Sequence, residues 1–147
     1  MMELRNTRND NQRRKMNECI QLGRCPFCME WLSVYHDAPV IKEGKFWIIT
    51  ANDDPYEGVE HHYLAICKRH ITSIEELTLE EAGEKDILFA WLIKHLGVNY
   101  GAMFMRFGEM INTGATLAHL HAHLIVGSKK TESGEKLRVK VGYKKSR

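Results

Sequence analysis

The stretch "AHLHAHLIVG", Ala118–Gly127, sets His119, His121 and His123 at every second position, alternating with Leu120, Ala122 and Leu124. Period-two alternation is the mark of a β-strand with one face turned to a core. It predicts a strand over "HLHAHLIV", apolar residues inward, with three imidazoles on the opposite face roughly 7 Å apart. Packing does not explain such a row, because each buried imidazole needs a hydrogen-bond partner and several charged ones repel. Two chemistries fit. Alternating histidines can converge on zinc. A neutral imidazole is also a competent nucleophile toward phosphorus near neutral pH. Just upstream, "NTGAT" brings Asn112, the backbone around Gly114 and the Thr116 hydroxyl. Small donors of this kind cradle an anion, and a zinc triad would not need them.

Working outward, "KFWIIT", "HYLAIC" and "AMFMRF" are rich in β-branched and aromatic residues and are predicted as strands. "EGK" is a turn before the first of them, and "ANDDPYEGVE", with Pro55 and Gly58, is a loop. "TLEE" from Thr78 to Glu81 is a capping box that opens a helix running to Leu96. Leu88, Trp91, Leu92 and Leu96 mark its buried face and Gly97 ends it. "GEMINTGAT" is expected as a loop and "KLRVKVGYK" as a late, half-exposed strand. One substantial helix among strands in meander-like succession predicts an α+β fold with a mainly antiparallel sheet.

The length of 147 residues suits one domain with a respectable core, and 44% hydrophobic residues argues against global disorder. No apolar run approaches the ~18 residues of a membrane span. The polar N-terminus lacks the apolar core of a signal peptide, and four cysteines in such a chain suggest a reducing, cytoplasmic setting. Residues 1–15 carry a net +3 and the segment after Gly127 a net +6, which leaves −7 for the middle of a chain totalling +2. The expected organisation is a basic polar arm (1–18), a domain (19–127) and a basic tail with the late strand (128–147). Basic ends permit nucleic-acid contact, and solvated termini are the plainer reading.

"CPFC", Cys25–Cys28, has the spacing of a zinc knuckle but supplies only two of four ligands. Buried thiols without metal, or Cys19 as a further ligand, are the alternatives. A thioredoxin-like redox role lacks the expected βαβ context. Cys67 reads as a plain residue, as do His36 and His95, while His61 is expected on the strand face opposite His62.

"HLHAHLIV", "HYLAICKRH" and "NDDPY", three motifs in the right order along a similarity spanning about Cys25 to Gly127, resemble the histidine-triad (HIT) superfamily of nucleotide hydrolases and transferases. The resemblance implies that His121 attacks the α-phosphate of a nucleotide and forms a nucleotidyl-histidine. It implies that His123 supports the phosphate and the attacking ring, and that His119 opens the triad. His62 becomes the auxiliary histidine of the phosphate pocket, Thr116 a phosphate-binding hydroxyl, and Gly114 and Asn112 its loop. The ribose contact falls on Asn52, anchored by Pro55–Tyr56, or on Asp54, eight residues before His62. In zinc-containing bacterial-type members the Cys pair is completed by two histidines, here His70 and His119, which would staple a small N-terminal segment to the sheet. The chemistry calls for no catalytic metal, and a homodimer is implied. The chain departs from the family pattern at Cys67 and Gly127, where proline is usual, and in "RFGEMINTG". These departures bear on substrate preference more than on reaction type.

Substrates implied are dinucleoside polyphosphates and nucleoside phosphoramidates. The rival readings are a metal-dependent phosphoesterase using the triad as ligands, a nucleotide-binding module with little turnover, and processing of adenylated DNA ends.

Overall fold

The capping-box helix forms where its signals stand. In the computed structural model, which describes residues 2, 4, 7, 9–130 and 134–147, it runs Leu79–Leu96 (α3). The Thr78 side chain accepts from the Glu81 N–H, and Gly97 closes the helix in the left-handed region at φ 67°. Leu88 and Leu92 are buried, with Trp91 and Leu96 packed at the margin of the same cluster.

Five strands, β1 (Val40–Glu43), β2 (Trp47–Ala51), β3 (Val59–Cys67), β4 (Ala102–Phe104) and β5 (His121–Gly127), form one sheet. Their order is β1-β2-β3-β5-β4 with every pairing antiparallel. The turn at Gly44 is held by Glu84 of α3, whose carboxylate accepts from the backbone N–H groups of Lys45, Phe46 and Trp47 at 2.7–2.9 Å. A Cβ at Gly44 would stand 2.7 Å from that carboxylate.

The sheet has two different faces, as alternation requires. Ala122, Leu124 and Val126 of β5 join Ile49, Ala65, Leu88 and Leu92 in the larger core against α3. Each large aliphatic side chain buried there contributes about 1.5–3 kcal/mol. Leu64 and Ile66 of β3 face the other way with Ile48 and Leu32. They stand opposite His123 and His121 across the β3–β5 pairing. The imidazoles therefore share the face of the smaller core.

Several expectations are corrected. The boundary drawn after residue 18 falls inside a helix, α1 (Asp10–Leu22), capped by Asn9 and ended by Gly23 at φ 65°. Of the basic arm, Glu3, Arg5 and Arg8 lie outside the described residues, as does Glu132 of the tail. "CPFC" leads into a second helix, α2 (Met29–Tyr35), which buries Leu32 and Tyr35. The loop "GEMINTGAT" contains a helical turn, α4 (Met110–Thr113). The late strand is absent among the described residues: Leu137, Val141 and Tyr143 stay exposed, because this segment crosses the mouth of a cavity instead of pairing with a sheet edge. No described helix is long and apolar enough to cross a membrane.

Candidate active site and metal centre

β5 begins at His121, not at His119, so the three imidazoles do not form one row. Leu120 donates its N–H to Ile71 O at 2.7 Å and accepts from Cys67 N–H at 3.2 Å. The chain ahead of the strand is thus tied to the segment that follows β3. His119, fully buried, turns its ring away from His121 and His123.

That ring meets the cysteine pair. Its Nδ1 lies 3.5 Å from Cys25 Sγ, 3.7 Å from Cys28 Sγ and 3.1 Å from His70 Nδ1, and Cys28 Sγ lies 3.3 Å from His70 Nδ1. All four donor atoms fall within 4.8 Å of one another. A tetrahedral zinc with bonds of about 2.3 Å to sulfur and 2.0–2.1 Å to nitrogen spaces its ligands roughly 3.3–3.8 Å apart. The geometry fits. His119 Nε2–H donates to Cys67 O at 2.5 Å, which leaves Nδ1 as the basic nitrogen facing the thiols. Burial, with His70 nearby, pushes His119 down to about 4 despite that carbonyl, so the ring stays neutral. Burial and the adjacent Cys25 push the Cys28 thiol up to about 12. Only a cation held between the two sulfurs would draw them into the thiolate form. Cys19 and Cys67 lie outside the set, and burial raises both thiols to about 11.

His70 is placed by its neighbour in sequence. Arg69 reaches both carboxylate oxygens of the buried Glu81 at 2.8 and 2.9 Å. This fork fastens the turn "KRH" to the first turn of α3.

His36, His121 and His123 line a cavity of about 670 Å³, and His62 backs His123. The cavity lining includes His121, His123, Thr116, Asn52 and Asp54, with Gly114 at the bend of the loop before β5. Gly114 has φ 81°, a left-handed conformation that caps α4. Asn112 is the exception among the expected loop residues. It sits on the helical turn with its amide donated to Glu109 at 2.8 Å and does not line the cavity.

Hydrogen bonds assign the ring tautomers. Tyr56 N–H donates to His62 Nδ1 at 3.2 Å. The proton of His62 is then on Nε2, which donates to His123 Nδ1 at 2.8 Å. The proton of His123 is therefore on Nε2. His121 Nδ1–H donates to His119 O at 2.7 Å, so Nε2 is its basic nitrogen. Phe104 stacks on His123 with centroids 4.5 Å apart and planes 4° from parallel. Phe27 meets His121 edge-on at 5.0 Å. Asn52 Nδ2 lies 3.1 Å from His62 Nε2 and its Oδ1 accepts from Asp54 N–H. His61 is half-buried on the other face beside Tyr63.

Five contributors were not legible from sequence motifs. Gln12, Lys15 and Met16 of α1 line the cavity, signalled only by the caps Asn9 and Gly23. His36 is buried, with Nε2 2.7 Å from Thr50 Oγ1 and Nδ1 3.4 Å from Asp53. Burial lowers its pKa, with Asp53 opposing. Arg106 also lines the cavity.

Comparison with known proteins agrees with this geometry. The family model described as scavenger mRNA decapping enzyme C-term binding matches residues 32–138. No curated protein sequence matches significantly. Among solved structures, a histidine triad nucleotide-binding protein from Candida albicans is 18% identical with a TM-score of 0.61, covering 84% of this chain and 86% of its own. A zinc-bound histidine triad protein from Mycobacterium smegmatis is 19% identical with a TM-score of 0.56, over 78% and 82% of the two chains. A HIT family hydrolase from Clostridium thermocellum is 25% identical with a TM-score of 0.55, over 78% and 96%. With well over half of its length matched by that family model, and the sheet and histidine arrangement in place, this chain belongs to the scavenger decapping C-terminal family of the histidine-triad superfamily.

Proposed function

We propose that the chain is a nucleotide hydrolase or transferase acting at the α-phosphate of dinucleoside polyphosphates or nucleoside phosphoramidates. The observation that carries this reading is the 2.7 Å bond from His121 Nδ1–H to His119 O. It makes Nε2 the nucleophile. Attack forms a bond between Nε2 and the α-phosphorus and breaks the bond to the leaving group, which takes the electron pair. The ring keeps its Nδ1 proton, so the adduct is an imidazolium whose charge the His119 carbonyl meets. Water then displaces His121 and releases the mononucleotide. His123, protonated on Nε2 by the relay from Tyr56 through His62, donates to the phosphate, and Thr116 supplies a hydroxyl. Asn52 Oδ1 accepts from Asp54 N–H and Asp54 Oδ1 accepts from Asn9 Nδ2, so the two side chains stand together at the cavity wall as the pair offered to the ribose hydroxyls.

Zinc on Cys25, Cys28, His70 and His119 would be closed and structural, supplying a cross-link between the N-terminal segment and the sheet. A triad gripping one catalytic metal fits poorly, because His119 faces the thiols and His123 Nδ1 is taken by His62.

Single-turnover incubation with α-labelled diadenosine tetraphosphate tests the mechanism. Label retained on the wild-type chain and lost in His121→Ala is expected. Turnover with no labelled protein in either would sink the covalent route, and tight mononucleotide binding without turnover would favour a binding module.

A further inference from the structure

The segment after β5 is strongly basic, and part of it crosses the cavity mouth. Leu137 lies beside Gly58 and Gly127, and Gly142 lies beside the Asn112 carbonyl of the loop before β5. Between those points Arg138 and Lys140 line the cavity. Arg106 anchors this strap by donating from Nη2 to Lys140 O at 2.5 Å and to Tyr56 Oη at 3.2 Å. Its guanidinium lies 5.0 Å from the centroid of Phe104, the ring stacked on His123. Arg106 Nε is buried with no protein partner among the described residues. A buried charged donor left in that state is costly unless a ligand meets it.

The other cavity cation is differently engaged. Lys15 stands 3.1 Å from Asp37 and 3.7 Å from Asp53, on the side of α1. Asp53 is itself taken by the N–H groups of Asp37 and Ala38. Glu57 is the one exposed acid among the cavity residues near the strap. Charge is thus divided: Asp37 and Asp53 offset Lys15 toward α1, while at the strap Arg106, Arg138 and Lys140 outnumber Glu57, with Arg106 over the ring that stacks on His123.

From this division we infer that Arg106 and the strap form a second anion subsite, which takes the phosphates of the leaving group. The inference rests on the α-phosphate reading above and names the preferred substrate class within it. Attack on a dinucleoside polyphosphate breaks the bond between the α-phosphorus and its bridging oxygen, and the electron pair stays on the departing nucleoside polyphosphate. That group leaves as a polyanion and needs no proton at neutral pH. A phosphoramidate releases an amine, which must gain a proton and is a cation in solution. Three cations at the strap, once it takes the leaving group, favour the first and disfavour the second. The chain is therefore a polyphosphate-cleaving enzyme in preference to a phosphoramidase.

The test compares kcat/KM for diadenosine tetraphosphate and for the adenosine 5′-phosphoramidate of a lysine side chain. In the double variant Arg138→Glu, Lys140→Glu, the ratio of the two should shift at least tenfold toward the phosphoramidate. Inorganic tripolyphosphate should inhibit the wild type competitively and more weakly as salt rises. A ratio that does not move, or tripolyphosphate inhibition equal in wild type and variant, overturns the subsite. A 5′-adenylated oligonucleotide cleaved tenfold better than diadenosine tetraphosphate also overturns it, assigning the strap to nucleic acid. Labelled His121 seen with either substrate keeps the covalent mechanism standing whatever the ratio shows, so the two failures are separable.

Discussion

His121 Nδ1–H donates to the backbone carbonyl of His119 at 2.7 Å, while the His119 ring faces Cys25, Cys28 and His70. One residue thus takes part in two sites, its side chain in the Cys/His cluster that could hold a metal and its carbonyl in orienting the neighbouring imidazole. This splits the consequences of substitution within a single motif.

His121→Ala removes the proposed nucleophile from a half-buried position, and the sheet keeps its other contacts. Activity should fall at least about a thousandfold, with the thermal midpoint nearly unchanged. His119→Ala should lose metal and stability together with activity. Rate assays beside thermal denaturation distinguish the two patterns, and an equal loss of stability in both would contradict the division.

Cys28→Ser should release zinc, since three ligands no longer close the tetrahedron. The N-terminal segment then loses its cross-link to the sheet. A loss on the order of 3 kcal/mol corresponds to a fall of roughly 10 °C in Tm. Metal content by chelator titration and calorimetry check it. A variant that retains stoichiometric zinc would show that the metal sits elsewhere.

How much of this was legible in the sequence depends on range. Local signals were enough for α3, whose caps Thr78 and Gly97 stand in the sequence, and for the inward face of Ala122, Leu124 and Val126. They failed at His119. Alternation cannot say where a strand starts, and the Leu120 N–H goes to Ile71 O, far off in sequence, where the ladder with β3 ends. They failed again at α1, whose buried residues Gln12, Met16 and Cys19 are too mixed in polarity to give a clear apolar stripe. The tail alternates in Leu137, Val139, Val141 and Tyr143, but a strand needs a partner edge, and the chain goes to Arg106 instead.

The pairing of Arg69 with Glu81 predicts a pH dependence. The Arg69 hydrogen bonds, opposed by burial and aided by the Thr78 cap, hold the Glu81 carboxyl down at about 2. An unfolded glutamate titrates near ~4.3. The unfolded chain therefore binds the proton first as pH falls. This stabilisation is complete above about pH 5 and is lost between there and pH 2. Glu81→Gln should cost about 1–3 kcal/mol at neutral pH and flatten the stability profile across that window. Urea titrations at pH 7, 5, 4 and 3 measure it. An unchanged slope in the variant would place the acid sensitivity in other carboxylates.

β4 is the outer strand of the sheet, and Met103 at its centre is 53% exposed, with Phe107 57% exposed just beyond it. An edge strand with an apolar side chain and, among the described residues, no strand on its outer side invites pairing with another strand. The homodimer implied by the histidine-triad resemblance has a physical route here, with two β4 edges meeting antiparallel to continue the sheet. A lysine on such an edge opposes pairing by placing like charges face to face across the dyad. Light scattering should give twice the 17.0 kDa chain mass for the wild type, and Met103→Lys should move the population toward monomer. The variant keeps its own fold, since Met103 packs little, and circular dichroism should match the wild type. A wild-type chain that scatters as a monomer at the concentrations used for turnover would remove the dimer from the account and leave a cavity built by one chain alone.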